Sequence, residues 1–376
     1  MSLEIQEVDI YNNKKDQKRF INLQWDLYSD DKHWVPQLKL SLKEQFSLKH
    51  PFNKTADIKS WIAVKDGRDV GRIQAIVNHK YNEFHKENIG FYGFFEAIDD
   101  QEVFSKLFTA AETFVKSLGK EEIRGPVNPS TNYSVGSLIE GFNDAPQIMM
   151  NYNKPYHQKQ TENCGYQKSK DLLAYKLDIG AGFEMPEVIQ KIAKRAEKKQ
   201  KITYRPVNMK NWAQETQLMW DIYNSAWESN WGFVPMLREE WEHICKDLKS
   251  IVNPNLILIC EVDGDHAGFV VALPDFNQAQ KQVPNGKLLP FGILKLLNAN
   301  KYMNRVRVLT MGVKPEYRKI GLDSILYTKS QQVCVENGYN EVEMSWILED
   351  NLNMNKPLIR MGADPYKKYR IYSKSL

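Results

Sequence analysis

Val306-Arg-Val-Leu-Thr-Met-Gly-Val313 runs into Lys314-Pro-Glu-Tyr-Arg-Lys-Ile-Gly-Leu-Asp323, and then into an apolar-periodic segment ending near Val335. The first part is a strand of β-branched and long apolar residues, stopped by Pro315. In the last part Leu322, Ile325, Leu326 and Val333 keep the 3.6-residue period of a helix packed on one face. A helix start leaves backbone N–H groups unpaired and carries the positive end of the helix dipole, so a strand–loop–helix of this kind makes a cradle for an anion. Gly321 lets a phosphate approach the backbone, and Arg318 and Lys319 add charge. The terminal Gly-Lys-Ser/Thr of a P-loop is absent, and one glycine of three is too few for a dinucleotide fingerprint.

Working outward, an antiparallel hairpin (Leu256–Val262 with Gly268–Leu273) precedes this unit, and strands at Glu341–Leu348 and Lys367–Tyr372 follow it. The whole order of elements occurs twice. Gln24-Trp-Asp-Leu-Tyr28 is matched by Met219-Trp-Asp-Ile-Tyr223, Val35-Pro-Gln-Leu38 by Val234-Pro-Met-Leu237, Asp66-Gly67 by Asp263-Gly264, Asn153-Lys-Pro155 by Asn355-Lys-Pro357, and Gly165 by Gly362. The offsets run from 195 to 202 residues, far beyond solenoid repeats, so each copy is expected to be a complete domain. The boundary is expected at the Gly180–Pro186 linker, giving domains 1–180 and 181–376. A hairpin entering strand–helix–strand predicts an α/β (α+β) fold: a mixed, mostly antiparallel sheet flanked by helices.

Composition excludes several classes. With 42% hydrophobic and 26% charged residues the chain is globular, not disordered or fibrous. A net charge of +4 over 376 residues is too small to argue for nucleic acid. The basic face of the Lys191–Lys201 region lacks interleaved aromatics and reads as solvated. Cys164, Cys245, Cys260 and Cys334 form no metal or disulfide pattern, and a reducing, cytoplasmic setting is expected. The seven histidines have no metal-ligand spacing. The opening Met1–Gln6 does not read as a signal peptide, and no apolar run is long enough to span a bilayer; no membrane partner is expected.

The Val313-Lys-Pro315-Glu-Tyr-Arg318-Lys-Ile-Gly321-Leu-Asp323 stretch resembles motif A of the GNAT superfamily, the acyl-CoA N-acyltransferases. Asn351, Lys356–Met361 and Gly362-Ala363 look like the helix and turn that follow the next strand there. The resemblance implies a co-substrate, acetyl-CoA or another acyl-CoA, and a small-molecule or peptide amine as acceptor. It implies that the strand with Met311 and Val313 splays from its neighbour to pair with the pantetheine arm. It further implies that the loop and helix start at Arg318, Lys319, Gly321, Leu322 and Ser324 hold the pyrophosphate, and that Asn351 flanks the arm.

Glu343, on the strand after the helix, is then the expected base. The family's tyrosine acid falls near Leu358, leaving Tyr366 or Tyr369 as substitutes, with Tyr369 taken as the acid. Asp323 replaces the usual Gly or Ala and is expected to cap the helix. The first copy has Ala97-Ile-Asp-Asp-Gln-Glu102 at the corresponding loop, three carboxylates and no Arg or Gly, so it is expected not to bind CoA. Its Arg124–Asn132 segment is a candidate acceptor surface. Two other readings stand beside acyl transfer: a non-catalytic acyl-CoA-binding or scaffold protein, and an aminoacyl-tRNA-dependent transferase of the Fem type.

Overall fold

The computed structural model describes residues 2–228 and 230–376. The first half opens with β1 (Leu3–Val8), α1 (Lys14–Tyr28), α2 (Lys39–Gln45) and the hairpin of β2 (Ala56–Lys65) and β3 (Arg68–Asn78). Next come α3 (His79–His85), β4 (Ile89–Ala97), α4 (Gln101–Ser117) and β5 (Glu122–Gly125). Short strands β6 (Val127–Asn128), β7 (Ser134–Val135) and β8 (Ser137–Glu140) lead to α5 (Tyr156–Asn163) and β9 (Gln167–Asp178).

The second half begins with α6 (Glu187–Lys199), β10 (Ile202–Pro206), α7 (Trp212–Trp227) and α8 (Arg238–Leu248). The hairpin of β11 (Ile257–Val262) and β12 (Asp265–Pro274) follows, then α9 (Phe276–Gln280) and α10 (Gly292–Leu297). It closes with β13 (Arg305–Val313), α11 (Leu322–Glu336), β14 (Glu341–Leu348), α12 (Leu352–Arg360) and β15 (Asp364–Ser375). Both hairpins turn at Asp-Gly with positive φ at each residue (Asp66 +50°, Gly67 +77°; Asp263 +52°, Gly264 +95°). That is the backbone a two-residue turn needs to match strand twist.

The chain forms two compact units. One comprises residues up to Leu172 together with Gln280–Leu297 and Lys367–Leu376; the other comprises Leu173–Ala279 and Asn298–Tyr366. The first unit's sheet runs β1-β2-β3-β4-β5-β15, and the second's runs β9-β14-β13-β12-β11-β10. The last strand of each sequence copy therefore completes the other copy's sheet. The repeat pattern assigns each strand to its own copy, because an alternating strand carries no mark of which edge it will join. In both units the first four strands are antiparallel and the strand after the long helix joins in parallel, β5 to β4 and β14 to β13.

In the first unit α4 buries Val103, Phe104, Leu107, Phe108 and Val115 against Ile73, Phe95 and Tyr372. In the second, Leu322, Ile325 and Leu326 of α11 pack on Leu258, Cys260 and Val270, with Ala193 and Ala196 of α6 beside them. Each such large side chain contributes about 1.5–3 kcal/mol by leaving water. Among the described residues no helix is long and apolar enough to cross a membrane.

Candidate functional site

The site is built from the edge of β13. That strand stays paired with β12 from Val306 opposite Pro274 to Val313 opposite Gly268, with a register shift after Val271 that leaves Leu309 as an extra residue. Its parallel pairing with β14 is much shorter: Arg305–Val308 lie opposite Glu341–Met344, and the ladder ends there among the described residues. From Leu309 to Val313, the stretch holding Met311 and Val313, the edge toward β14 is unzipped. Backbone N–H and C=O groups along such an edge need water or a ligand. The Thr310 hydroxyl, within the same stretch, is buried without a hydrogen-bond partner among the described residues. Sequence reasoning missed Thr310, since only the folded structure shows its hydroxyl to be buried.

The loop after β13 turns through Pro315–Tyr317, takes positive φ at Lys319 (+66°) and again at Gly321 (+92°), and opens into α11 with Gly321 as its N-cap. A Cβ at Gly321 would lie 3.0 Å from Ile192 Cγ2 and 3.1 Å from Ala196 Cβ of α6, so both the backbone conformation and the space demand glycine. Among the described residues no side chain caps this helix start, and Asp323 in its first turn is exposed, not folded back as the capping expectation had it. The first-turn N–H groups thus have no side-chain acceptor among the described residues. Leu322 is 1% exposed and packs in the core, so its contribution there is its amide; the Ser324 side chain is likewise buried.

Arg318 donates through Nη2 to Ala226 O at the end of α7 (2.7 Å) and through Nε to Val313 O (3.3 Å). The guanidinium therefore pins the loop to the negative end of a helix while remaining exposed. Lys319 is exposed in the same loop. Asn351 is the N-cap of α12 and accepts from the Met354 N–H at 3.3 Å. Asn355, one turn on, holds the end of β14 by donating to Leu348 O (3.0 Å) and Glu349 O (3.1 Å). Tyr327 of α11 reaches Met354 Sδ at 3.6 Å, so α11 and α12 meet beyond the slot.

Glu343 is fully buried. Its Oε1 accepts from Ser345 Oγ at 2.7 Å and its Oε2 from the Tyr366 hydroxyl. Arg307, directly opposite on β13 and 1% exposed, places Nε 3.6 Å from the carboxylate and donates to Ser345 Oγ (2.9 Å). A general base must offer a lone pair that the incoming amine can reach. Both oxygens of Glu343 are engaged inside the sheet, so the arrangement makes it the anchor of a buried network. Tyr369, taken from the sequence as the acid, lies in the other compact unit, fully buried and opposite Leu138 of β8. The tyrosine beside Glu343 is Tyr366.

The first copy has the same frame with its openings closed. Among the described residues β4 pairs with β5 over Ile89–Phe91, and β6 fills the gap beyond. A Cβ at Gly93 would fall 1.7 Å from Val127 O, and Asn128 Oδ1 accepts from the Phe94 N–H at 2.6 Å. The Arg124–Asn132 segment, expected as an acceptor surface, thus begins as a plug, with Val127 1% exposed. The start of α4 is occupied too: Asp100 Oδ1 accepts from the amides of Glu102 (2.9 Å) and Val103 (3.4 Å), and Lys65 neutralises it.

Where β13 and β12 carry Gly312 and Phe269, the register of the first copy places Glu96 and Arg72. These two are buried together, with the Tyr28 hydroxyl donating to Glu96. Burial pushes the Glu96 carboxyl up to about 7 and the Arg72 guanidinium down to about 10.

Known proteins resemble this chain in sequence and in fold. The profile described as "Acetyltransferase (GNAT) family" matches residues 216–362. "Protein YghO" of Escherichia coli (strain K12) is 38% identical over 98% of this chain and 95% of its own length. "Bacterial ceramide synthase" of Caulobacter vibrioides is 35% identical over 96% of this chain and 94% of its own.

Among solved structures, the tandem GNAT protein from the clavulanic acid biosynthesis pathway superposes with a TM-score of 0.61 at 11% identity, over 100% of this chain and 98% of that one. A GCN5-related N-acetyltransferase from Sphaerobacter thermophilus gives 0.53 at 12% identity, over 99% and 95%. At such identities the structural matches speak for the fold alone.

Proposed function

The chain belongs to the GNAT superfamily of acyltransferases, and from that premise we propose that its second sequence copy binds an acyl-CoA and passes the acyl group to the primary amine of a long-chain lipid base. The observation that carries the acyl-CoA part is the early end of the β13–β14 ladder, directly before an uncapped helix start. Residues Leu309–Val313 offer a strand edge to the amide-bearing pantetheine arm, with the Thr310 hydroxyl beside it. The amides from Lys319 to Ser324 face the diphosphate, and Lys319 adds a charge. Asn351 holds the start of α12, where the arm would leave the strand.

The 35% identical relative whose name denotes ceramide synthesis supports the acceptor class. A ceramide is the amide of a long-chain amino alcohol, which the chemistry of this superfamily can make in one step. The acyl-CoA supplies the electrophilic thioester carbonyl. The amine nitrogen forms the new C–N bond, the C–S bond breaks, the nitrogen loses a proton and CoA leaves as its thiol. With Glu343 engaged in the sheet, what the protein supplies is position and desolvation, and solvent takes the proton.

In this reading the first copy is a degenerate partner that takes no CoA, because Asp100 and Asn128 occupy what would be its anion and arm positions. Thiol release measured with palmitoyl-CoA and sphinganine, against acetyl-CoA and short amines, tests the proposal. Release specific to the long-chain pair is expected. Release with acetyl-CoA and a short amine alone overturns the lipid acceptor, and absence of CoA binding overturns the whole reading.

A further inference from the structure

We propose that the Gln280–Leu297 insertion docks the protein on the surface of an anionic lipid bilayer. Within nine residues it exposes Leu289 (73%), Phe291 (71%), Ile293 (42%) and Leu297 (75%). Single exposed apolar residues are ordinary, but a cluster of this kind marks a contact surface. These side chains sit on a fastened platform. Trp25 Nε1 donates to Pro284 O (2.9 Å), the Lys39 N–H to Gly286 O (2.9 Å), and Lys295 Nζ to Gln282 O (2.8 Å). Val283 is buried, and Gly286 lies so close to the Trp25 ring that a Cβ there would come within 2.4 Å of it. The fold holds the apolar tips outward with their base secured.

The charge around the tips identifies the partner. From Gln280 to Leu297 the insertion carries three lysines, Lys281, Lys287 and Lys295, and no Asp or Glu. Lys287, Lys18 and Lys43 act electrostatically on Lys39, whose backbone the insertion grips, with Asp26 acting in the opposite sense. An apolar wedge among cations fits an anionic headgroup layer, with the tips entering the acyl boundary and the lysines meeting phosphates. Two copies of this face brought together would set lysine against lysine. No described helix is long and apolar enough to cross a membrane; this surface lies on a bilayer and does not cross it, which revises the expectation of no membrane partner.

The test is co-sedimentation of the full chain with vesicles of phosphatidylcholine alone and with phosphatidylglycerol added, with oligomeric state followed by analytical ultracentrifugation. Binding to the anionic vesicles, weakened by salt, is expected. Phe291→Asp combined with Leu297→Asp should weaken it at least tenfold while melting as the parent does, because both side chains are already mostly in water. Lys287→Glu with Lys295→Glu should remove the preference for anionic lipid. No binding to anionic vesicles, or undiminished binding by the Asp variant, overturns the proposal. So does a parent that self-associates through this face without binding lipid, which the Asp variant would convert to monomer.

Discussion

Replacing Glu343 by Gln separates a structural carboxylate from a catalytic one. Glu343 and Arg307 face each other across the parallel pair, 0% and 1% exposed, with Nε 3.6 Å from Oε1. The amide keeps the shape and can still accept one hydrogen bond, but it removes the carboxylate charge that faces the buried guanidinium. Removing one partner of a buried pair costs about 3–5 kcal/mol, and the retained hydrogen bonding favours the lower end. At roughly 2–4 °C per kcal/mol for a body of this size, Tm should fall by about 6–12 °C.

Arg307→Met with Glu343→Leu should recover most of that loss, since an apolar pair of similar volume removes both desolvation costs. Below the melting range, kcat for thiol release should stay within about threefold of the parent with the same pH profile. A Tm unchanged within 2 °C together with a fall in kcat of about a hundredfold or more, the size expected for loss of a general base, would refute the structural assignment.

Three further outcomes follow from other parts of the fold. Glu96, held by burial at about 7 against an ordinary value of 4.5, is favoured by the fold in its protonated form. Its cost is absent below about pH 4.5 and grows as pH rises to about 7, reaching about 3 kcal/mol; chemical denaturation across that window should show a decline that Glu96→Gln flattens. Gly321→Ala forces a left-handed conformation worth about 1–2 kcal/mol and a 3.0 Å contact with Ile192. Calorimetry should find CoA binding weakened about tenfold, and unaltered binding would show that the loop is not the anion site. Asn128→Ala removes the acceptor for the Phe94 N–H and should cost about 1–3 kcal/mol in urea denaturation, while CoA still binds one per chain.

The elements legible in the sequence are those set by neighbours along the chain. The Asp-Gly turns, the Pro315 stop, the glycine at 321 and the apolar face of α11 are local constraints, and the duplication repeats most of them. What escaped reading depends on partners far away. Glu343 looks like an available strand carboxylate until Arg307 is placed opposite it, a pairing fixed by the register of β13 on β14. Alternation puts Tyr366 and Tyr369 on opposite faces of β15, yet which of them meets Glu343 depends on where that strand joins a sheet. Asn128 and Val127 plug the first copy through contacts with Gly93 and Phe94 more than thirty residues earlier, and a Gly-Pro-Val-Asn-Pro run reads equally well as an open loop. Asp323 satisfied the composition rule for a helix start without serving as its cap, because Gly321 had already set the helix entrance.

Hydrogen exchange of the full chain with and without saturating CoA tests the central claim most directly. New protection is expected to be confined to the amides of Leu309–Val313 and Lys319–Ser324, with Ile89–Phe104 unchanged. Protection appearing in the first copy's β4–α4 segment, or none at the β13 edge when CoA is bound, would contradict it.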